Sequence, residues 1–134
     1  MWLENIPVSV PGADEFLTGN AAAVLREIAS LMEQLAHNGE GGCIDLASLP
    51  FSGADRTWLQ DKLGKGEVEI TINAGGPTSI VETGTPGVWW ITHRNEQNAK
   101  SGEFIEVTLV PELVGTHPDD VLSGLDSLNK KIMD

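Results

Sequence analysis

The apolar residues of this chain change their spacing at Glu67, and that change limits the folds open to it. Before it, Val24, Leu25, Ile28, Leu31, Met32 and Leu35 recur every three to four residues, the stripe of an amphipathic helix. After it, Val68, Glu69, Ile70, Thr71, Ile72 and Asn73 alternate apolar with polar, as a half-buried strand requires. A pattern of one period does not sit as the other element, so helices and strands are segregated along the chain. That order argues for a two-layer α+β domain.

The first helix spans about 20–37, with Asn20 as a cap and Asn38-Gly39 as a left-handed stop. Asp14 is the alternative start, because Leu17 and Ala21 extend the stripe back across Gly19. Residues 1–13, with Pro7, Pro11 and Gly12, read as an extended arm preceding a domain over 14–132, the whole of 1–134 forming one unit. Glycines 39, 41 and 42 make a flexible break, and Cys43–Leu46 is a short strand candidate. Ser52 followed by Asp55 resembles a capping box for a second helix carrying Trp58, Leu59 and Leu63 and ending at Gly64. Beyond Glu67 come four strands, at 67–73, 79–83, 88–93 and 104–110, joined by Gly75-Gly76-Pro77, Thr85-Pro86-Gly87 and the polar segment 95–102. Sequential strands with short turns predict an antiparallel meander. Thr116, Pro118 and Asp119 then open a last helix with the stripe Val121, Leu122, Leu125, Leu128 and Ile132. The expected architecture is a four-stranded antiparallel meander with about three helices packed on one face. Val68, Ile70 and Ile72 should face Val24, Ile28, Leu31 and Leu35.

The net charge is −12, with ten acids and four bases in each half of the chain. An acidity spread so evenly repels phosphate, which excludes nucleic acid and anionic membrane as natural partners. No apolar run approaches the ~20 residues of a membrane span. MWLENIPVSV lacks the basic start and long apolar segment of a secretory signal, and the single cysteine forbids an internal disulfide. The chain reads as cytoplasmic and soluble.

No catalytic constellation stands out. There is no G-x-S-x-G, no P-loop and no G-x-G-x-x-G, and Cys43 reads as a small buried strand residue. His37, His93 and His117 show no ligand spacing, so no metal or other cofactor is expected. One weaker arrangement remains: His93 ends a strand, and Glu103 or Glu106 on the next strand is within reach across a hairpin, as a metal carrier would need. Trp89 and Trp90 are adjacent on one strand and must point to opposite faces. The one on the open face is either covered by the N-terminal arm or another loop, or an exposed anchor for a partner. With His93, Arg94 and Asn95 beside them, Trp89 and Trp90 form the candidate partner-binding site.

FLTGNAAAVLREIASLMEQL (16–35), IDLASLPFSGAD (44–55), LGKGEV (63–68), GVWWITHRN (87–95) and GEFIEVTLVPEL (102–113) follow in the order found in HupH/HyaF-type hydrogenase expression proteins. The chain resembles the C-terminal conserved region of that family over about 14–128, and many members are longer. The resemblance implies an accessory, chaperone-like and non-enzymatic role in maturing an uptake nickel–iron hydrogenase. The implied partners are the iron–sulfur small-subunit precursor and other hydrogenase maturation proteins. It carries no catalytic residues over to this chain. The alternatives are an iron or metal carrier or scaffold in the same pathway, and an unrecognised enzyme.

Overall fold

The computed structural model describes residues 16–134; the N-terminal arm and the alternative start at Asp14 lie outside the described residues. Helix α1 spans Asn20–Asn38 and α2 spans Gly53–Leu63. The strands are β1 (Gly42–Asp45), β2 (Lys65–Asn73), β3 (Pro77–Thr83), β4 (Val88–Arg94) and β5 (Lys100–Val107), and helix α3 spans Pro118–Met133. The α+β class holds, but the sheet has five strands, not four, in the order β1-β5-β4-β3-β2. Strands β2 to β5 form the expected meander. The fifth is the short segment at Cys43, which pairs antiparallel with β5 through Cys43↔Glu106 and Ile44↔Ile105. Four residues carry too little pattern to announce a pairing with a strand some 60 residues away.

Each helix end has a local cause. Gly39 takes the left-handed conformation (φ 74°) and donates its N–H to the Leu35 carbonyl, closing α1. The start is capped by Gly19, not Asn20, whose side chain instead donates to the Pro50 carbonyl. The capping box of α2 is complete: Ser52 Oγ accepts from Asp55 N and the Asp55 carboxylate accepts from Ser52 N, both at 2.9 Å. The glycines before β1 do more than turn the chain. A Cβ on Gly42 would come within 2.6 Å of Leu31 Cδ2, so glycine lets α1 lie directly against β1.

The core lies between the helices and one face of the sheet. Ala21, Val24 and Ile28 of α1 and Leu59 and Leu63 of α2 pack with Ile44, Val88, Trp90, Ile105 and Val107. A second apolar cluster occupies the opposite face: Ile80, Trp89 and Ile91, with Ile70, Ile72 and Phe104 against them. This corrects the expected packing of β2. Ile70 pairs with Ile80, which pairs with Ile91, so all three share the face turned away from α1. Val68 lies within a register irregularity between Lys65 and Glu69 and is exposed.

The strand β5 also runs earlier than its apolar pattern suggested. Asn95 Oδ1 accepts from Gln97 N and Ala99 N, and Asn98 adopts φ 65°. That tight turn lets Lys100 and Gly102 pair with Arg94 and His93. The largest departure is α3. Among the described residues only α1 and α2 cover the sheet; every residue from Glu112 to Asp134 is exposed. The helix-side positions left uncovered, Glu69, Thr71, Ser79 and Thr92, are polar and offer an apolar stripe no seat. Truncating a buried α1 residue, Ile28→Ala, is therefore expected to cost about 2–5 kcal/mol. Leu128→Ala on α3 should stay within about 0.5 kcal/mol in dilute solution. Urea unfolding of the two variants checks this, and equal losses would contradict the division.

Candidate functional site

Because α1 and α2 cover only the β1-β5-β4 side of the sheet, a cleft of about 590 Å³ opens between α2 and strands β2 to β5. That volume is within the ordinary range of ligand pockets. Trp90, Thr92 and Val81 line it from the sheet, Arg56 and Gln60 from α2. Arg56, Lys65, Arg94 and Lys100 line it together with Asp61, Glu69, Glu82 and Glu103, so half of the chain's eight bases meet four carboxylates in one cleft.

At its inner wall the carboxylate of Glu103, 3% exposed, collects the strongest polar contacts in the fold. Arg56 donates to it from Nε at 3.0 Å and from a terminal nitrogen at 2.8 Å, and Trp90 donates its indole N–H at 2.9 Å. Lys100 Nζ lies 3.5 Å away, and the Arg56 guanidinium stacks on Phe51 at 5.8 Å from the ring centroid. Burial by itself would raise the Glu103 pKa, but the bonds from Arg56 and Trp90 and the two positive charges outweigh it and hold it below the usual value. Asp55 behaves alike: burial pushes it up, while donors from Ser52 and Thr18 bring it below normal. Glu106 goes the other way, lifted by burial and the nearby Glu112 charge against one hydrogen bond from Glu112 N.

The five predicted partner-binding residues divide between the faces. Trp90 and Arg94 line the cleft. Trp89 and His93 lie on the opposite face, where His93 Nδ1 pairs with Thr78 Oγ1 at 2.8 Å and its ring meets Phe104 edge-on. Asn95 is committed to its turn. Neither tryptophan is an exposed anchor, which corrects that reading: each is only 8% exposed, and the Trp89 indole donates to the Thr108 carbonyl at 3.1 Å. The His93, Glu103, Glu106 metal arrangement does not assemble. Glu103 shares the helix-side face with Thr92 and Trp90, while His93 is opposite Gly102 on the other face. Glu106 is opposite Trp89, four residues or roughly 13 Å along the strand from His93. Cys43 is exposed, not buried, because β1 is an edge strand whose outer face carries it; burial of the thiol within its surroundings and the charges of Glu106 and Asp45 raise its pKa. Among the described residues no helix is long and apolar enough to cross a membrane.

Residues 18–133 match the family described as HupH hydrogenase expression protein, C-terminal conserved region. The chain belongs to the HupH family. A solved structure of this family, the hydrogenase expression protein HupH from Thiobacillus denitrificans, is 45% identical and superposes with a TM-score of 0.84 over 87% of this chain and 98% of that one. Hydrogenase expression/formation protein HupQ of Azotobacter chroococcum is 29% identical over 113 residues, 83% of this chain and 40% of its own length. HupH of Rhodobacter capsulatus is 32% identical over 102 residues, 76% of this chain and 37% of its own. The chain thus spans about two fifths of the length of the HupQ and Rhodobacter HupH relatives.

The Arg56–Glu103–Trp90 cluster was missed from sequence, although one signal was there: Glu103 falls in phase with Ile105 and Val107, on the inward side of its strand. Because the folded pKa values of Glu103 and Asp55 are lowered, their stabilisation is fully present above the unfolded values, roughly 4, and is lost as pH falls through the folded ones. Glu106, being raised, offsets part of that loss. Glu103→Gln is expected to cost about 2–4 kcal/mol at neutral pH and to flatten the acid limb of the stability–pH curve. An unchanged acid limb in that variant would contradict the assignment.

Proposed function

We propose that this chain is an accessory factor in maturation of an uptake nickel–iron hydrogenase, and that it binds the iron–sulfur small-subunit precursor without catalysing a reaction on it. Membership of the HupH family over nearly its whole described length carries the reading. Its relatives are named hydrogenase expression/formation proteins and, in Escherichia coli, hydrogenase-1 operon protein HyaF. The cleft geometry supports binding. Its charged groups are already ordered in pairs, such as Arg56 with Glu103 and Lys65 with Glu69. Its Thr83 hydroxyl is tied to the Val88 carbonyl at 2.8 Å. Such a lining suits the recognition of a polar extended segment more than the activation of a nucleophile, which needs an adjacent base. Strand β2 forms one wall and ends the sheet, so an incoming segment has both side-chain partners and a free strand edge beside it.

Arg94 is the residue to test, since it lines the cleft and donates to the carbonyl of exposed Asn98 at 3.2 Å. Arg94→Ala combined with Thr92→Arg should leave stability within about 1 kcal/mol and weaken capture of the small-subunit precursor roughly thirtyfold. Pull-down of the precursor from cells expressing the hydrogenase operon measures it. Undiminished capture by the folded variant rejects the cleft as the site. Normal hydrogenase activity in a strain lacking the gene rejects the function.

A further inference from the structure

Ten of the thirteen large hydrophobic residues exposed among the described residues fall between Leu109 and Met133. Helix α3 is the centre of that segment. It has 16 residues, none buried, with Gly124 in its interior. A helix of this length is marginal in water on its own, and an interior glycine weakens it by about 1 kcal/mol. Most helices of this kind are held by packing of their apolar face, and the described residues provide α3 with no such seat.

The spacing of the stripe says what seat it fits. Val121, Leu125, Leu128 and Ile132 follow one another at intervals of four, three and four, the a/d seam of a two-helix coiled coil. The charges say how the two helices run. Asp119 and Asp120 occupy the first turn, Lys130 and Lys131 the last. Two copies placed parallel would set acid beside acid and base beside base. Placed antiparallel, Asp120 of each copy lies within about one turn of Lys131 of the other, with Lys130 held by Asp126 of its own helix, so opposite charges run side by side about a two-fold axis. The net charge of −12 opposes association at long range, but at physiological salt that repulsion is screened beyond about 8 Å.

We propose that α3 joins two copies of this chain as an antiparallel helix pair, with Leu125 of one copy against Leu128 of the other and Val121 against Ile132. The contact is independent of the cleft and of the hydrogenase reading. It is two-fold symmetric, and no residue of α3 lines the cleft.

Sedimentation equilibrium of the full chain in the tens of micromolar tests it. A dimer is expected. Leu125→Asp with Leu128→Asp should raise the dissociation constant at least about a hundredfold while leaving the urea transition of the core unchanged, because neither side chain is buried in the protomer. In a Cys43→Ser background, Val121→Cys together with Ile132→Cys should form disulfide-linked dimers on mild oxidation, and each single change should not. A monomer at these concentrations overturns the proposal, as does a dimer that survives the paired Asp substitutions. Efficient cross-linking by Val121→Cys alone would mean a parallel pair, and overturns it too.

Discussion

One buried carboxylate holds the helix layer to the sheet. Glu103 stands on β5, receives the indole N–H of β4 and is gripped by the guanidinium of α2, so three elements meet at one pair of oxygens. Burying that charge is costly, and the cost is offset only when all the donors arrive together. An apolar contact tolerates small rotations of a helix; this one does not, because a shifted Arg56 would leave Glu103 charged and unpaired. The pair thus fixes where α2 sits. It also fixes where α2 stops: the helix is held at the β4–β5 edge of the cleft by polar contacts, and β2 and β3 stay uncovered.

A second carboxylate, one residue before Arg56 in the first turn of α2, ties that helix to α1. Asp55 closes the capping box with Ser52 and also accepts from the backbone N–H and the hydroxyl of Thr18, two residues before α1. Ser52 donates in turn to the Phe16 carbonyl. The starts of α1 and α2 are thereby joined through side chains 37 residues apart. The two helices are held as one layer, and Gly42 lets α1 approach β1 closely.

What was legible in the sequence was local. The α1 stripe, the Gly39 stop, the Ser52–Asp55 box and the alternation of β2 each depend on neighbours within a few residues, and each appears where expected. What was not legible depended on distant pairing. Ile70 and Ile72 alternate correctly but cannot state which face they bury, since that is set by their register with Ile80. Trp89 and Trp90 do face opposite ways, yet their exposure was decided by the acceptors waiting for their N–H groups, Thr108 O and Glu103. The stripe of α3 is as regular as that of α1. Periodicity reports that a helix has an apolar face; it is silent on whether the partner is in the same chain.

The charge pattern gains its meaning only from the fold. Along the sequence the eight bases look scattered through an acidic chain. Folding gathers Arg56, Lys65, Arg94 and Lys100 around one cleft and leaves Lys130 and Lys131 at the end of an unburied helix. At long range the molecule repels polyanions. Within the cleft those bases stand beside Asp61, Glu69, Glu82 and Glu103, and Arg56, Lys65 and Lys100 are already paired with two of these carboxylates. With four bases against four carboxylates the cleft is formally neutral, so the net charge of −12 is carried by the rest of the molecule, and the field that repels a polyanion at a distance is not the local field of the cleft.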